Sequence, residues 1–179
     1  MSCAAQACDK RFRVSVAAIV AVIVLGANGC GGLAQRGGAA SPSDLRTVVR
    51  VVDGDTIMVN PNERIRLIGI DAPESVAPNR PVGCMGREAS QFLKQFLPKG
   101  TEVRLEGDVE PQDRYGRTLA YVWVASTGVF VNAELVRRGF AQPLTIPPNI
   151  AYADQFVDLA REARQANRGL WASCPVRSR

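Results

Sequence analysis

The chain has 179 residues, 22 Lys and Arg against 17 Asp and Glu, five cysteines and no histidine. Histidine is the usual general base near neutral pH and the commonest metal ligand, so its absence excludes Ser-His-Asp hydrolases, Cys-His proteases and HExxH metalloproteases. Catalysis here has to come from carboxylates, Arg, Lys, Tyr, Cys or a cation held by oxygen; at 46% hydrophobic and 22% charged residues, the chain is that of a globular protein.

Lys10, Arg11 and Arg13 precede an uncharged run from Val14 to Ala27. A basic start followed by an apolar stretch of this length fits an export signal over residues 1–29. As a helix the run reaches only about 21 Å, short of the ~30 Å hydrocarbon core of a membrane. Cys30 follows among small residues, as at a bacterial lipoprotein cleavage site, although Ala27 stands where Leu is usual. Lipidation of Cys30, and with it membrane attachment, is therefore one expectation; release outside the cell is the other. Residues 30–45 read as a flexible Gly, Ala and Ser linker. Removal of residues 1–29 leaves 19 basic against 16 acidic residues, a mild excess compatible with a polyanionic partner.

The same removal takes away Cys3 and Cys8, and lipid would occupy Cys30. Cys84 and Cys174 then remain in the folded part, and two thiols in an exported domain suggest one disulfide. Two unrelated free thiols are the alternative. Without a CxxC or a Cys/His cluster, zinc is not expected.

The domain is expected over residues 46–175, followed by a tail at 176–179. Thr47–Asn60 holds two β-rich runs about a turn at Asp53-Gly54-Asp55. Glu63–Ile70 alternates as a third strand, with Ile65 and Leu67 on one face and Arg64, Arg66 and Ile68 on the other. After a Pro- and Gly-containing loop, Arg87–Leu97 carries Ala89, Phe92, Leu93 and Phe96 at helical spacing, stopped by Pro98 and Gly100. Thr101–Glu106 and Arg117–Val124 read as fourth and fifth strands. Asn132–Arg138 reads as a short helix, and Ile150–Asn167 as a longer one with Tyr152, Phe156, Leu159 and Ala163 inward. Five short strands with a helix between the third and fourth give an α+β, mostly β fold: an OB-type five-stranded Greek-key barrel with three helices.

Acidic residues gather where strands give way to turns, at Asp53, Asp55, Asp71 and Glu74. Turn preference accounts for Asp53 beside Gly54. It accounts poorly for Asp55, Asp71 and Glu74, whose charges would repel one another unless a hard, oxygen-seeking cation neutralised them, and Ca²⁺ suits such a set. Arg66, taken alone, reads as a solvated strand residue. Arg117 could offer a planar fork to phosphate oxygens. Together, carboxylates, two arginines and no histidine describe metal-assisted attack of water on a phosphodiester.

VVDGDTI (51–57), RIRLIGIDAPE (64–74), GREAS (86–90), DRYGRTLAYV (113–122), VNAELVRRGFA (131–141) and GLW (169–171) resemble the staphylococcal-type thermonuclease, or micrococcal nuclease, family. Order and approximate spacing hold over residues 47–174. The resemblance implies a monomeric, Ca²⁺-dependent endonuclease that hydrolyses DNA and RNA and leaves 3′-phosphate ends. It implies Asp55, Asp71 and the Ala72 carbonyl as metal ligands, Glu74 as the residue that orients or deprotonates water, and Arg66 and Arg117 as phosphate and transition-state contacts. Tyr115 is implied in substrate binding, and Asp53 as a structural neighbour of the metal. Many members have Thr at the Ala72 position. The type member also has tyrosines after the short helix, where this chain reads Gln142-Pro143-Leu144-Thr145-Ile146-Pro147-Pro148, so an altered grip on the nucleotide is expected. A catalytically silent OB-fold nucleic-acid-binding or interaction module is the competing reading, opposed by retention of all five residues Asp55, Asp71, Glu74, Arg66 and Arg117. With no histidine to titrate, activity is expected to favour alkaline conditions.

Overall fold

The computed structural model describes residues 45–75 and 82–174. The expected export signal, Cys30, the linker up to residue 44 and the tail at 176–179 lie outside the described residues.

In chain order the elements are β1 (Leu45–Asp53), β2 (Thr56–Val59), β3 (Glu63–Leu67), β4 (Ile70–Asp71), α1 (Gly86–Phe96), β5 (Glu102–Glu106), β6 (Thr118–Val124), α2 (Val131–Arg137), β7 (Gln142–Pro143), α3 (Ala153–Gln165) and α4 (Leu170–Ser173). The first three strands form the expected meander, with Asp53 opposite Thr56 and Met58 opposite Arg64. Strand β6 then lies parallel to β3, and β5 closes the ring by pairing with β6 and β1. The barrel order β1-β2-β3-β6-β5 is that of the OB-type architecture.

Period-two alternation drives the inward side chains of β3, where Ile65 and Leu67 are buried and Arg64 and Arg66 point outward. Ile68, expected on the arginine face, is instead buried. The strand ends at Leu67, and Gly69 turns the chain at φ 78°, a left-handed value that suits glycine, so alternation no longer applies beyond it. A side chain at Gly69 would also run into the Phe156 ring, which seats α3 against this turn. Two further features carry no periodic signal and were not anticipated: the β4–β7 pair, two residues on each side, and the single turn of α4.

Helix α1 begins at Gly86 and buries Ala89 and Leu93. Helix α3 starts at Ala153 rather than Ile150 and buries Phe156, Leu159, Ala160 and Ala163, while Tyr152 caps its start. An aromatic cluster joins the core to its partly buried flank: Trp123 stacks on Phe130 with centroids 4.1 Å apart, and Tyr121 meets Tyr152 edge-on at 4.6 Å. Asn132 is fully buried, and its side chain is satisfied twice. It accepts from Val122 N–H (3.0 Å) and donates to the Ile68 carbonyl (2.9 Å), which ties α2 to β6 and to the turn after β3.

Cys84 and Cys174 form a disulfide, with Cα atoms 5.8 Å apart and 90 residues of separation. Cysteine parity had pointed to this pair. The bridge joins the segment entering α1 to the residue after α4. The start of α4 is itself fixed to α2, because Leu170 N–H donates to the Gly139 carbonyl (2.8 Å).

Candidate functional site

Asp55 sits in the β1–β2 turn, buried to 9% exposure, and every contact it makes is local or crosses the strand ends. Its Oδ1 accepts from the Thr56 hydroxyl (3.0 Å) and its Oδ2 from the Ala72 N–H (3.1 Å). The neighbouring Gly54 allows this approach: a Cβ there would stand 2.7 Å from that of Ala72. Turn and β4 thus meet closely enough to bring Asp55 to Asp71.

Arg66 lies between them. Its Nη2 is 3.1 Å from Asp55 Oδ2 and 3.2 Å from Asp71 Oδ1, while Nη1 donates to the carbonyls of Leu67 (2.9 Å) and Ile70 (3.0 Å). A side chain only 12% exposed with four partners is not the solvated strand residue that its outward position suggested. The turn after β3 folds back over it and supplies the two carbonyls.

Asp71 remains open to solvent on its outer side. Crowding away from water, reinforced by the charge of Asp55, pushes its carboxyl above the ordinary aspartate range, against the opposing pull of Arg66. Among the described residues no group of three or more His, Cys, Asp or Glu side chains is gathered as a metal cage. The Asp55 and Asp71 carboxylates, both within reach of Arg66, offer oxygen donors only, the kind that would suit a hard divalent cation and not a soft one.

Asp53 and Glu74 face each other from the two sides of the same junction. Asp53 Oδ1 accepts from Gly54 N–H (2.8 Å), from Ser75 N–H (3.2 Å) and from the Ser75 hydroxyl, and its carboxyl also shares a hydrogen bond with the Glu74 side chain. Burial raises the Asp53 pKa, but its hydrogen bond with Glu74 and those from Ser75 and Gly54 outweigh burial and leave the group below the ordinary range. The Glu74 backbone is held as well: Gly83 N–H donates to its carbonyl (2.9 Å), and a side chain at Gly86 would collide with that same oxygen. Cys84, between those two glycines, carries the disulfide.

Asp113, Tyr115 and Arg117 form a second group, in the segment between β5 and β6. Asp113 Oδ1 accepts the N–H groups of Tyr115 (2.9 Å) and Arg117 (3.0 Å), and its Oδ2 pairs with Arg117 Nε (2.6 Å). Burial opposes the Asp113 charge, yet the bonds from Arg117 and Tyr115 hold its carboxyl below the ordinary range. Tyr115 is 68% exposed, with the Arg114 and Arg117 guanidinium groups 4.8 and 5.6 Å from its ring centroid.

Arg66, Arg117 and Tyr115 line one cavity of about 550 Å³, together with Leu119, Leu144 and Ile146. The last two belong to the segment that lacks tyrosines. The β4–β7 pairing sets Pro143 opposite Ile70, and Leu144 N–H donates to the Gly69 carbonyl (2.9 Å). Sequence reasoning named Asp55, Arg66, Asp71, Ala72, Glu74, Tyr115 and Arg117. It passed over Asp113, Leu144 and Ile146. Asp113 could have been found from its spacing, two residues before Tyr115 and four before Arg117, which suits a carboxylate that caps its own loop.

Residues 64–173 match the family described as staphylococcal nuclease homologue. The chain is 43% identical over 138 residues to the thermonuclease of Staphylococcus intermedius, covering 73% of this chain and 80% of that protein. It is 36% identical over 163 residues to the thermonuclease of Staphylococcus hyicus, with 89% and 95% covered. Endonuclease YncB of Bacillus subtilis is 36% identical over 131 residues, with 70% and 61% covered. A closed five-stranded barrel that brings Asp55, Arg66 and Asp71 together, with these identities over most of its length, makes the chain a member of the staphylococcal nuclease homologue family.

Proposed function

We propose that the chain is an exported, Ca²⁺-dependent nuclease that hydrolyses phosphodiester bonds of DNA and RNA and leaves 3′-phosphate ends. One observation carries this reading: two carboxylates converge on Arg66, and Arg66 lines the same cavity as Arg117 and an exposed tyrosine. Family membership and the nuclease names of the relatives support the same chemistry.

Asp55, Asp71 and the Ala72 carbonyl would hold the cation. When bound, it supplies charge neutralisation and Lewis-acid polarisation of a phosphate oxygen. Arg66 and Arg117 grip the remaining oxygens from two sides, and their fixed positive charge stabilises the charge that grows at phosphorus. Glu74 orients the attacking water and accepts its proton. The bond from phosphorus to the 5′ oxygen breaks, giving a 3′-phosphate on one fragment and a 5′-hydroxyl on the other. Tyr115 supplies a ring face to the nucleotide, and Leu144 and Ile146 stand where a base would otherwise meet aromatic side chains. Apolar aliphatic contact replaces stacking worth about 1–3 kcal/mol per base, so binding is weaker and less base-selective.

Export is supported by the basic residues and apolar run of the first 27 positions and by the Cys84–Cys174 bridge, which suits an oxidising compartment. No helix among the described residues is long and apolar enough to cross a membrane. Attachment, where it occurs, is through lipid at Cys30, and the protein acts as a monomer. Mass spectrometry of the mature N-terminus should find a lipid-modified Cys30; an unmodified start elsewhere refutes the lipid. End-group analysis of digested denatured DNA and RNA tests the chemistry. The expected products carry 3′-phosphates, and 3′-hydroxyl ends would overturn the assigned bond cleavage.

A further inference from the structure

A second cavity, of about 700 Å³, lies on the other side of the Tyr115–Arg117 ridge. Met58, Glu63, Arg64 and Gln112 form its walls, and Tyr115 and Arg117 line both it and the cavity described above. The barrel topology makes the two cavities neighbours. Strands β3 and β6 run parallel with Ile65 opposite Thr118, and the same register one residue back sets Arg117 alongside Arg64. Arg64 and Arg66 share the outward face of β3, two residues and thus about 7 Å apart along the strand. Arg64 therefore lies beside Arg117 across the strand pair and two residues from Arg66 along β3.

The charges of the second cavity favour an anion. Arg64 is exposed, and among the described residues its side chain has no hydrogen bond or ion pair. Glu63, the acid in the cavity, is already engaged: it accepts from the Thr118 hydroxyl (2.6 Å) and faces Arg46 at 3.6 Å. The exposed Tyr115 ring at the shared wall offers a stacking surface.

We propose that this second groove is an extension subsite for single-stranded nucleic acid, with Arg64 holding the phosphate next to the one that is cleaved. It rests on the nuclease reading and adds a role that the reading does not contain. The polymer crosses the ridge, its scissile phosphate between Arg66 and Arg117 and the adjoining phosphate at Arg64. A dinucleotide has one phosphodiester and cannot reach Arg64 while it is being cleaved. An eight-nucleotide single strand can.

The test compares Arg64→Ala, Arg64→Lys and wild type on a dinucleotide and on an eight-nucleotide single strand, with KM followed against salt. Arg64→Ala is expected to lose about 5-fold more kcat/KM on the longer substrate than on the dinucleotide, through KM rather than kcat, as befits one charged contact. The slope of log KM against log salt on the longer substrate should fall by about 0.7, one phosphate contact on a single strand. Arg64→Lys keeps the charge and should restore most of both effects. Equal losses on the two substrates, or an unchanged salt slope, would overturn the extension subsite while leaving the nuclease reading intact. Failure of wild type to cleave either substrate would overturn the nuclease reading itself.

Discussion

Asp55 and Arg66 sit in a lattice of short-range bonds from two turns, whereas Tyr115 and Arg117 stand on a polar loop organised by one carboxylate, Asp113. In the first region the side chains proposed for function are also structural: Arg66 satisfies two backbone carbonyls and two acids, and Asp55 receives the Ala72 amide. In the second, changes to the Tyr115 and Arg117 side chains leave the backbone N–H groups of both residues bonded to Asp113. Substitution at the carboxylate end should therefore cost stability and activity together, and substitution at the ridge should cost activity alone. Glu74 is the exception at the carboxylate end, since its side chain meets Asp53 at the rim and its backbone is held independently by Gly83.

Glu74→Gln should separate those terms most sharply. Turnover is expected to fall about 10²- to 10⁴-fold, while Tm stays close to wild type because an amide can still bond Asp53. Wild-type kinetics in that variant would remove Glu74 from the mechanism. Loss of the Cys84–Cys174 bridge, which closes a separation of 90 residues, should cost about 4–5 kcal/mol of unfolding free energy in denaturant titration of the doubly Ser-substituted protein. An unchanged midpoint would show that the bridge restrains nothing in the unfolded chain.

Arg66→Lys and Arg117→Lys form the direct test of the two-region contrast. Lysine at 66 cannot serve two carbonyls and two carboxylates, so about 2–3 kcal/mol of stability should go with the activity. Lysine at 117 keeps a charge but loses the fork, and activity should drop about 10²-fold with stability within about 1 kcal/mol of wild type. Equal stability losses in the two would erase the distinction. The smallest effects are those of pH. Asp113 is held below the ordinary value of 3.8, so the stability it contributes is present above it and is lost as pH falls and the folded carboxylate takes a proton. At the other extreme, burial and the Glu106 hydrogen bond push Tyr152 up to about 12 from an ordinary 10.0, so its contribution is complete below 10.0 and is lost as pH rises toward 12. Unfolding midpoints flat across both windows would contradict these signs.

The barrel and the three longer helices were legible because each rests on a local period: alternation at Ile65 and Leu67, helical spacing at Ala89 and Leu93, and at Phe156, Leu159 and Ala163. Features made by contact between distant segments were not. The β4–β7 pair spans two residues on each strand and exists because Leu144 and Pro143 reach the turn after β3. Ile68 was placed on the wrong face because alternation was carried past the end of its strand. In the site, the carboxylates were legible from crowding at strand ends. Arg66 was not, since only the folding-back of Leu67–Ile70 buries it, and its assignment came from family resemblance. The apolar lip at Leu144 and Ile146 was visible only as missing tyrosines until the cavity gave those side chains a place.

The central claim is that Asp55 and Asp71 hold an oxygen-ligated cation on which phosphodiester cleavage depends. Digestion of denatured DNA by the purified protein in Ca²⁺, followed by addition of EDTA, measures it most directly. Cleavage in Ca²⁺ that stops on chelation and resumes with excess Ca²⁺ is the predicted result. Cleavage undiminished in EDTA would contradict the metal assignment, and no cleavage with any divalent cation would leave the fold as a nucleic-acid-binding module.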